Sequence, residues 1–226
     1  MSEMRHDSSP GSPSGPPSGS PSDPPEPGHG EIQVSLHAKV LDIGLAVLAI
    51  ETGTRLAPQH SLGMRMGSNG GELALSGYVV WCFFHGTAAA PSGEQQPVYR
   101  AGIEFSDVLT QRATDLLRFL EAHAVVTMET RLFGRFRLEE AGPVSLHSTA
   151  PFQVTALQGD ALEIECDLGL EPAVGEAARV RLGTAEAVAA TITELARPSQ
   201  GDSWRLLLTF DEPQPDLHER AKALVL

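Results

Sequence analysis

After residue 31 apolar and polar positions alternate in short runs, with the period of two that half-buried strands require. Runs at 32–41, 45–50, 62–66, 73–84 and 98–105 predict five strands, each bounded by turn-forming residues. Ser68-Asn69-Gly70-Gly71 supplies left-handed backbone positions and predicts a hairpin between the third and fourth runs. Pro91-Ser92-Gly93 marks a longer loop. Beyond Phe105 the period lengthens: Leu109, Ala113, Leu116, Leu117, Leu120 and Ala124 recur at three and four residues, so they share one face of a helix. Ser106 is placed to cap that helix, and Asp107 to oppose its dipole.

The plan then repeats. Residues 152–154, 161–166, 178–182, 187–195 and 204–210 predict strands, and Leu217, Ala221, Leu224 and Val225 form the stripe of a closing helix behind Pro213 and Pro215. Identical residues mark the repeat. Val34-Ser35-Leu36-His37 recurs 110 positions on as Val144-Ser145-Leu146-His147. Tyr99-Arg100 with Phe105 recurs 105 positions on as Trp204-Arg205 with Phe210. Self-similarity at this period signals one module built twice. The expected fold is therefore mainly β, with two small antiparallel barrels, 31–124 and 125–226, each closed by a C-terminal helix and meeting near residues 123–130. A single continuous sheet over 32–226, or helices in place of the β runs, would end the case for tandem copies of one small β module.

The segment before the first strand has a different composition: residues 1–30 hold 8 Pro, 8 Ser and 5 Gly, too little apolar surface to offset the entropy of ordering. A disordered N-terminal tail is expected, either a docking tether or a tolerated extension. The chain carries 16 Lys and Arg against 29 Asp and Glu, a net charge of −13 in 226 residues, which repels a phosphate backbone. Nucleic acid is not an expected partner, and binding through the arginines at 131–137 is the outlying alternative. Cys82 and Cys166 lie in apolar runs without a Cys-x-x-Cys spacing and are expected to be reduced core residues of a cytoplasmic protein. No apolar export segment or run of about 20 apolar residues is present, so membrane insertion is not expected.

Catalytic and metal motifs are missing from the pattern. None of the 8 histidines stands three or four residues from another His or a Cys on a common face. His37 and His147 are equivalent in the repeat, which fits a shared packing role as well as a functional one. There is no Gly-x-Ser-x-Gly elbow, and the glycines at 67–71 lack the Lys-Ser/Thr of a phosphate loop. Glu139-Glu140 and the Glu163, Glu165 pair are more simply solvated charges than catalytic carboxylates. The sequence makes no case for an enzyme, a catalytic residue, a metal or a cofactor.

Leu41-Asp42-Ile43, Leu48-Ala49-Ile50, Tyr78-Val79-Val80-Trp81 and the run from Tyr99 to Phe105, with a helix at once after it, follow an order that resembles the PilZ family. This bacterial module is best known as a receptor for cyclic di-GMP. The resemblance covers about residues 32–122 and implies a six-stranded antiparallel barrel with a C-terminal helix. The second copy is similar but more diverged. Its entrance, Arg131-Leu132-Phe133-Gly134-Arg135-Phe136-Arg137-Leu138, resembles the Arg-x-x-x-Arg arm that precedes ligand-binding members, and the layout looks like that of flagellar-brake proteins.

An arginine can bind a phosphate or the O6/N7 edge of guanine through two parallel charge-assisted hydrogen bonds. Arg131, Arg135 and Arg137 are thus candidate ligand-binding residues, with Phe133 and Phe136 offering surface to a base. Interleaved Phe and Arg equally describe an ordinary half-buried strand. Ligand-binding members follow the arm with Asp/Asn-x-Ser-x-x-Gly. The aligned positions are Asp42, Gly44 and Val47 in the first copy, where only the acid survives, and Ala156, Gln158 and Ala161 in the second, where nothing does. A composite site of Asp42 with Arg131 or Arg135 is the remaining way to assemble both halves. The expected function is a non-enzymatic adaptor in cyclic di-GMP signalling, presenting strand edges, helices or the Phe83-Phe84 region to a protein partner in motility, adhesion or exopolysaccharide export. The alternative is a true cyclic di-GMP receptor.

Overall fold

The computed structural model describes residues 30–68, 71–90, 93–106, 112–125, 134–138, 143–197 and 203–224. The chain is mainly β. In order it forms β1 (Gly30–Gly44), β2 (Val47–Thr52), β3 (Ser61–Ser68), β4 (Gly71–Ala89), β5 (Gln95–Phe105), α1 (Arg112–His123), β6 (Ala124–Val125) and β7 (Arg135–Leu138). There follow β8 (Val144–Gln158), β9 (Ala161–Cys166), β10 (Ala177–Leu182), β11 (Val188–Ala196), β12 (Trp204–Thr209) and α2 (Pro215–Lys222). All twelve strands belong to one continuous sheet, and every ladder is antiparallel.

Two separate sheets are therefore not what the chain forms. The ladders instead close on themselves twice: β1–β2–β5–β4–β3–β8 returns to β1, and β8–β9–β12–β11–β10–β1 returns to β8. β1 and β8 belong to both circuits. Residues 30–34 of β1 pair with β10 in the second circuit, whereas its residues 39–43 pair with β2 in the first. β8 mirrors this, pairing through 144–147 with β3 and through 152–158 with β9. Each half supplies five strands, and the sixth comes from the other.

The sequence repeat sits where the halves cross. Ser35 pairs with His147, Leu36 with Leu146 and His37 with Ser145, so the repeated tetrapeptide faces its own copy about a local two-fold axis. The same relation joins the β2–β3 and β9–β10 loops. There Leu56 bridges Leu170, Ala57 N–H donates to the Gly169 carbonyl at 2.9 Å, and Glu171 N–H donates to the Arg55 carbonyl at 3.0 Å. Both leucines are buried, and a single apolar core runs through both halves.

Several sequence expectations change in detail. β8 starts at Val144 and not at residue 152, because Val144, Leu146, Ser148, Ala150 and Phe152 all face inward with period two. Pro151 lies inside β8. In the structure it falls in the gap between the β3 and β9 ladders, where a backbone donor has no strand on that side to bond. Gly30, assigned to the tail by composition, opens β1; residues 1–29 lie outside the described residues, as do Leu109, Asp107 and Val225. β3 and β4 pair as far as Ser68 with Gly71, which makes the predicted two-residue hairpin, although Asn69 and Gly70 themselves lie outside the described residues. In α1, Leu116 and Leu120 are buried as predicted, but Leu117 faces solvent. Most of the expected boundary at 123–130 also lies outside the described residues.

Candidate functional site

Three places gather chemistry. The first contains the predicted ligand residues. β7 pairs antiparallel with the end of β1, Phe136 opposite Ile43 and Arg135 opposite Gly44. Alternation on this short strand leaves Phe136 half-buried against the core and Arg135 and Arg137 exposed. The approach is close: a Cβ on Gly44 would come within 3.0 Å of the Gly134 carbonyl oxygen, and Gly134 itself turns with φ +61. As a result Arg135 Nη1 donates to Asp42 Oδ1 at 3.2 Å. The structure thus brings together one arginine of the arm and the one surviving acid of the motif, both reading as candidates from sequence. Arg131 and Phe133 lie outside the described residues. The arm was expected at the entrance of the second copy; the described part of it docks on a strand of the first. Arg135 meets a carboxylate here, so a phosphate or guanine would have to displace Asp42 or bind beside it. Arg137 stands on the same exposed face, opposite Val125 of β6.

The second place is the middle of β4. Seven consecutive apolar residues, Tyr78 to Phe84, cannot all point inward at a period of two. Val79 takes the core, Cys82 packs partly against it, and a register shift between Val79 and Trp81 resets the alternation. Tyr78, Val80, Trp81, Phe83 and Phe84 are left exposed, Phe84 by 57 % and Phe83 by 51 %. Trp81 and Phe83 stack with ring centroids 5.3 Å apart, and Phe84 meets Tyr99 edge-on at 5.8 Å. The Trp81 indole lies across Gly102 of β5, where any Cβ would collide with it. Sequence reasoning named only Phe83-Phe84 of this surface; the unbroken apolar run is the signal that could have found the rest.

The third place was missed by sequence reasoning. A cleft of about 200 Å³ opens beside the crossed loops, lined by Arg55, His60, Asp167, Glu171, Arg197 and Trp204. His60 Nε2 bonds Asp167 Oδ1 at 3.1 Å, and its Nδ1 faces the Pro58 carbonyl at 3.3 Å. The Arg197 guanidinium stands over the Trp204 ring, 5.0 Å from its centroid. Gln59, in the same loop, has φ +69 and is the one positive-φ residue other than glycine among the described residues. Its N–H donates to the Val79 carbonyl at 2.7 Å, which pins the loop to β4. His60 and Asp167 come from different halves, 107 positions apart, so no spacing motif could announce them.

The equivalent histidines have diverged. His37 is exposed, whereas His147 is half-buried flat against Gly63 of β3, where a Cβ would collide with its ring. Burial lowers the pKa of His147, and the Arg65 charge lowers it further. Cys82 and Cys166 are both free thiols. Burial pushes Cys166 up to about 12, assisted by Asp167 and Glu165. Burial also raises Cys82, against the hydrogen bond from Leu56 N–H at 3.4 Å and the Arg55 charge. Among the described residues no group of three or more His, Cys, Asp or Glu is placed to hold a metal ion, and no helix is long and apolar enough to cross a membrane. Compared with known protein families, curated proteins and solved structures, the chain matches none.

Proposed function

We infer that the protein is a non-enzymatic bacterial adaptor of cyclic di-GMP pathways, acting on motility, adhesion or exopolysaccharide export. In this reading the two closed strand circuits are a pair of six-stranded PilZ-like barrels that have exchanged their closing strands. The observation that carries it is the aromatic surface on β4, since contiguous exposed apolar area with rigid aromatic side chains is what protein interfaces are built around. The occupation of Arg135 by Asp42 supports an adaptor over a receptor. One observation favours the receptor alternative: the same pair converges from β1 and β7 on one exposed surface, where a cyclic dinucleotide phosphate could compete for the guanidinium.

Calorimetric titration with cyclic di-GMP separates the two. The adaptor reading expects no binding at high micromolar ligand. Tight binding that is lost in Arg135→Ala and Asp42→Ala moves the assignment to the receptor. For the adaptor itself, crosslinking to individual purified motility or export components should be lost in Phe83→Asp while the fold, followed by circular dichroism, is kept.

A further inference from the structure

The aromatic strip is also the edge of a sheet. β4 pairs with β3 from Gly71 to Tyr78, and the bonds from Gln59 N–H to Val79 O and from Val79 N–H to His60 O extend that side by one residue. From Val80 to Ala89 β4 has β5 on one side and, among the described residues, no strand on the other. β5 in turn pairs with β2 only from Tyr99 onward, so residues 86–89 and 95–98 form a two-stranded ribbon that reaches past the sheet. Such a ribbon is marginal in water until further strands join it.

Exposed edges are normally guarded by Lys, Pro, charges or bulges. This edge has register shifts at Val79/Trp81 and Phe84/Gly86, but from Tyr78 to Ala90 it contains no Lys, Arg, Asp, Glu or Pro. Beside the strand, Arg100 and Glu51 compensate each other at 3.3 Å, Glu104 stands opposite Tyr78, and the Arg55 charge reaches Cys82. In a chain of net charge −13, the strand itself presents no charge to a second copy, whereas most other approaches are repulsive.

We propose that the β4 edges of two copies pair antiparallel about a two-fold axis near His85, the middle of the free stretch, to make a four-stranded sheet of β5, β4 and their two counterparts. An antiparallel edge is complementary to itself under a two-fold rotation, so one surface serves both copies. Each copy contributes two strands, which gives the ribbon the strand number it lacks alone. The chain's own residues 1–29 are poor occupants, because their eight prolines include the closely spaced Pro24, Pro25 and Pro27 and donate nothing to a ladder. Edge pairing uses the backbone and leaves the outer face with Tyr78, Trp81 and Phe83 open, so the dimer goes beyond the adaptor reading and stands whether or not that reading holds. One strand edge per copy buries area near the lower end of specific interfaces, on the order of 1,000 Å² in total, so the association belongs in the micromolar range.

The test is sedimentation equilibrium of the full chain from low micromolar to submillimolar concentration, together with amide hydrogen exchange. The mass should rise from the 24.0 kDa monomer towards twice that value, and exchange at residues 80–89 should slow in step. Phe84→Lys and Thr87→Lys each bring like charges together across the axis and should weaken the dimer about tenfold or more. Leu117→Lys, on the exposed side of α1, should leave it unchanged. A mass fixed at 24.0 kDa at every concentration overturns the proposal. So does a dimer that ignores both lysines, or slow exchange at 80–89 that is independent of concentration, which would mean that the edge is covered within one chain.

Discussion

Ile32→Ala tests the exchange of strands directly, because Ile32 belongs to the first half by sequence and to the second circuit by pairing. Its side chain is fully buried, and its ladder partners are Ala150 on β8 and Val180 on β10, both also buried. The substitution removes three carbons. At about 0.8 kcal/mol per buried methylene that is roughly 2.4 kcal/mol of lost transfer energy. The cavity that remains after partial collapse adds up to about 1.5 kcal/mol, at about 24 cal/mol per Å³. The whole effect is therefore about 2.5 to 4 kcal/mol, a large part of the stability of an ordinary domain. Urea unfolding of the full chain should show a midpoint lowered accordingly with an unchanged slope.

Location discriminates more sharply than magnitude. In native-state hydrogen exchange, the amides of Val180, Ile192 and Leu208 should lose protection, while those of Ile50 and Ile103 lose less. The reciprocal variant Leu146→Ala, in the second half by sequence, should loosen the first circuit around Met64, its partner on β3. If Ile32→Ala instead weakened residues 47–105 and left 177–209 untouched, each half would be closing on its own strands, and the crossed arrangement would be wrong.

Four further outcomes follow from the site geometry. The pKa of His147 in the folded chain lies below the ordinary 6.5, so the unfolded chain binds the proton more readily. The stability this neutral ring contributes is complete above pH 6.5 and is lost as the pH falls through that value towards the folded pKa. Thermal unfolding across this range should be steeper with pH in the wild type than in His147→Gln, and equal slopes would remove the assignment. Gly63→Ala should cost about 1–3 kcal/mol by forcing Cβ into the His147 ring, and His147→Ala should recover most of it in denaturant unfolding of the double variant; simple additivity would refute the contact. With a thiol reagent at mildly alkaline pH, Cys82 should react ahead of Cys166, whose buried thiol is pushed up to about 12; equal native-state rates would contradict the burial. Arg135→Ala removes a solvent-exposed ion pair and should change stability by about 0–1 kcal/mol in the same assay, so any loss of ligand response in that variant reports on binding and not on folding.

The period of two, the turn residues and the three-and-four spacing after Phe105 and Pro215 were enough, by themselves, to give a mainly β chain with two helices. Those features are local: alternation decides which face of a strand is apolar, and Ser68 to Gly71 decides where it reverses. The Phe83-Phe84 region, named from sequence as one surface an adaptor could present, is exposed in the structure. Arg135 and Asp42 were readable as candidates and as one way to compose a site, but the sequence did not say which arginine of the arm would meet the acid.

Tertiary structure alone decided which strands meet. Alternation fixes a face but names no neighbour, so a fifteen-residue β1 is indistinguishable in sequence from two shorter strands, and the strand expected from residue 152 proves to begin at Val144. Closure of each circuit by a strand of the other half, the ion pair between Asp42 and Arg135, and the approach of His60 to Asp167 all join residues far apart in the chain. Their contacts exist because antiparallel β1 and β8 cross at Leu36 and Leu146, and that crossing is a property of the pairing energy of the whole sheet, which no single segment carries.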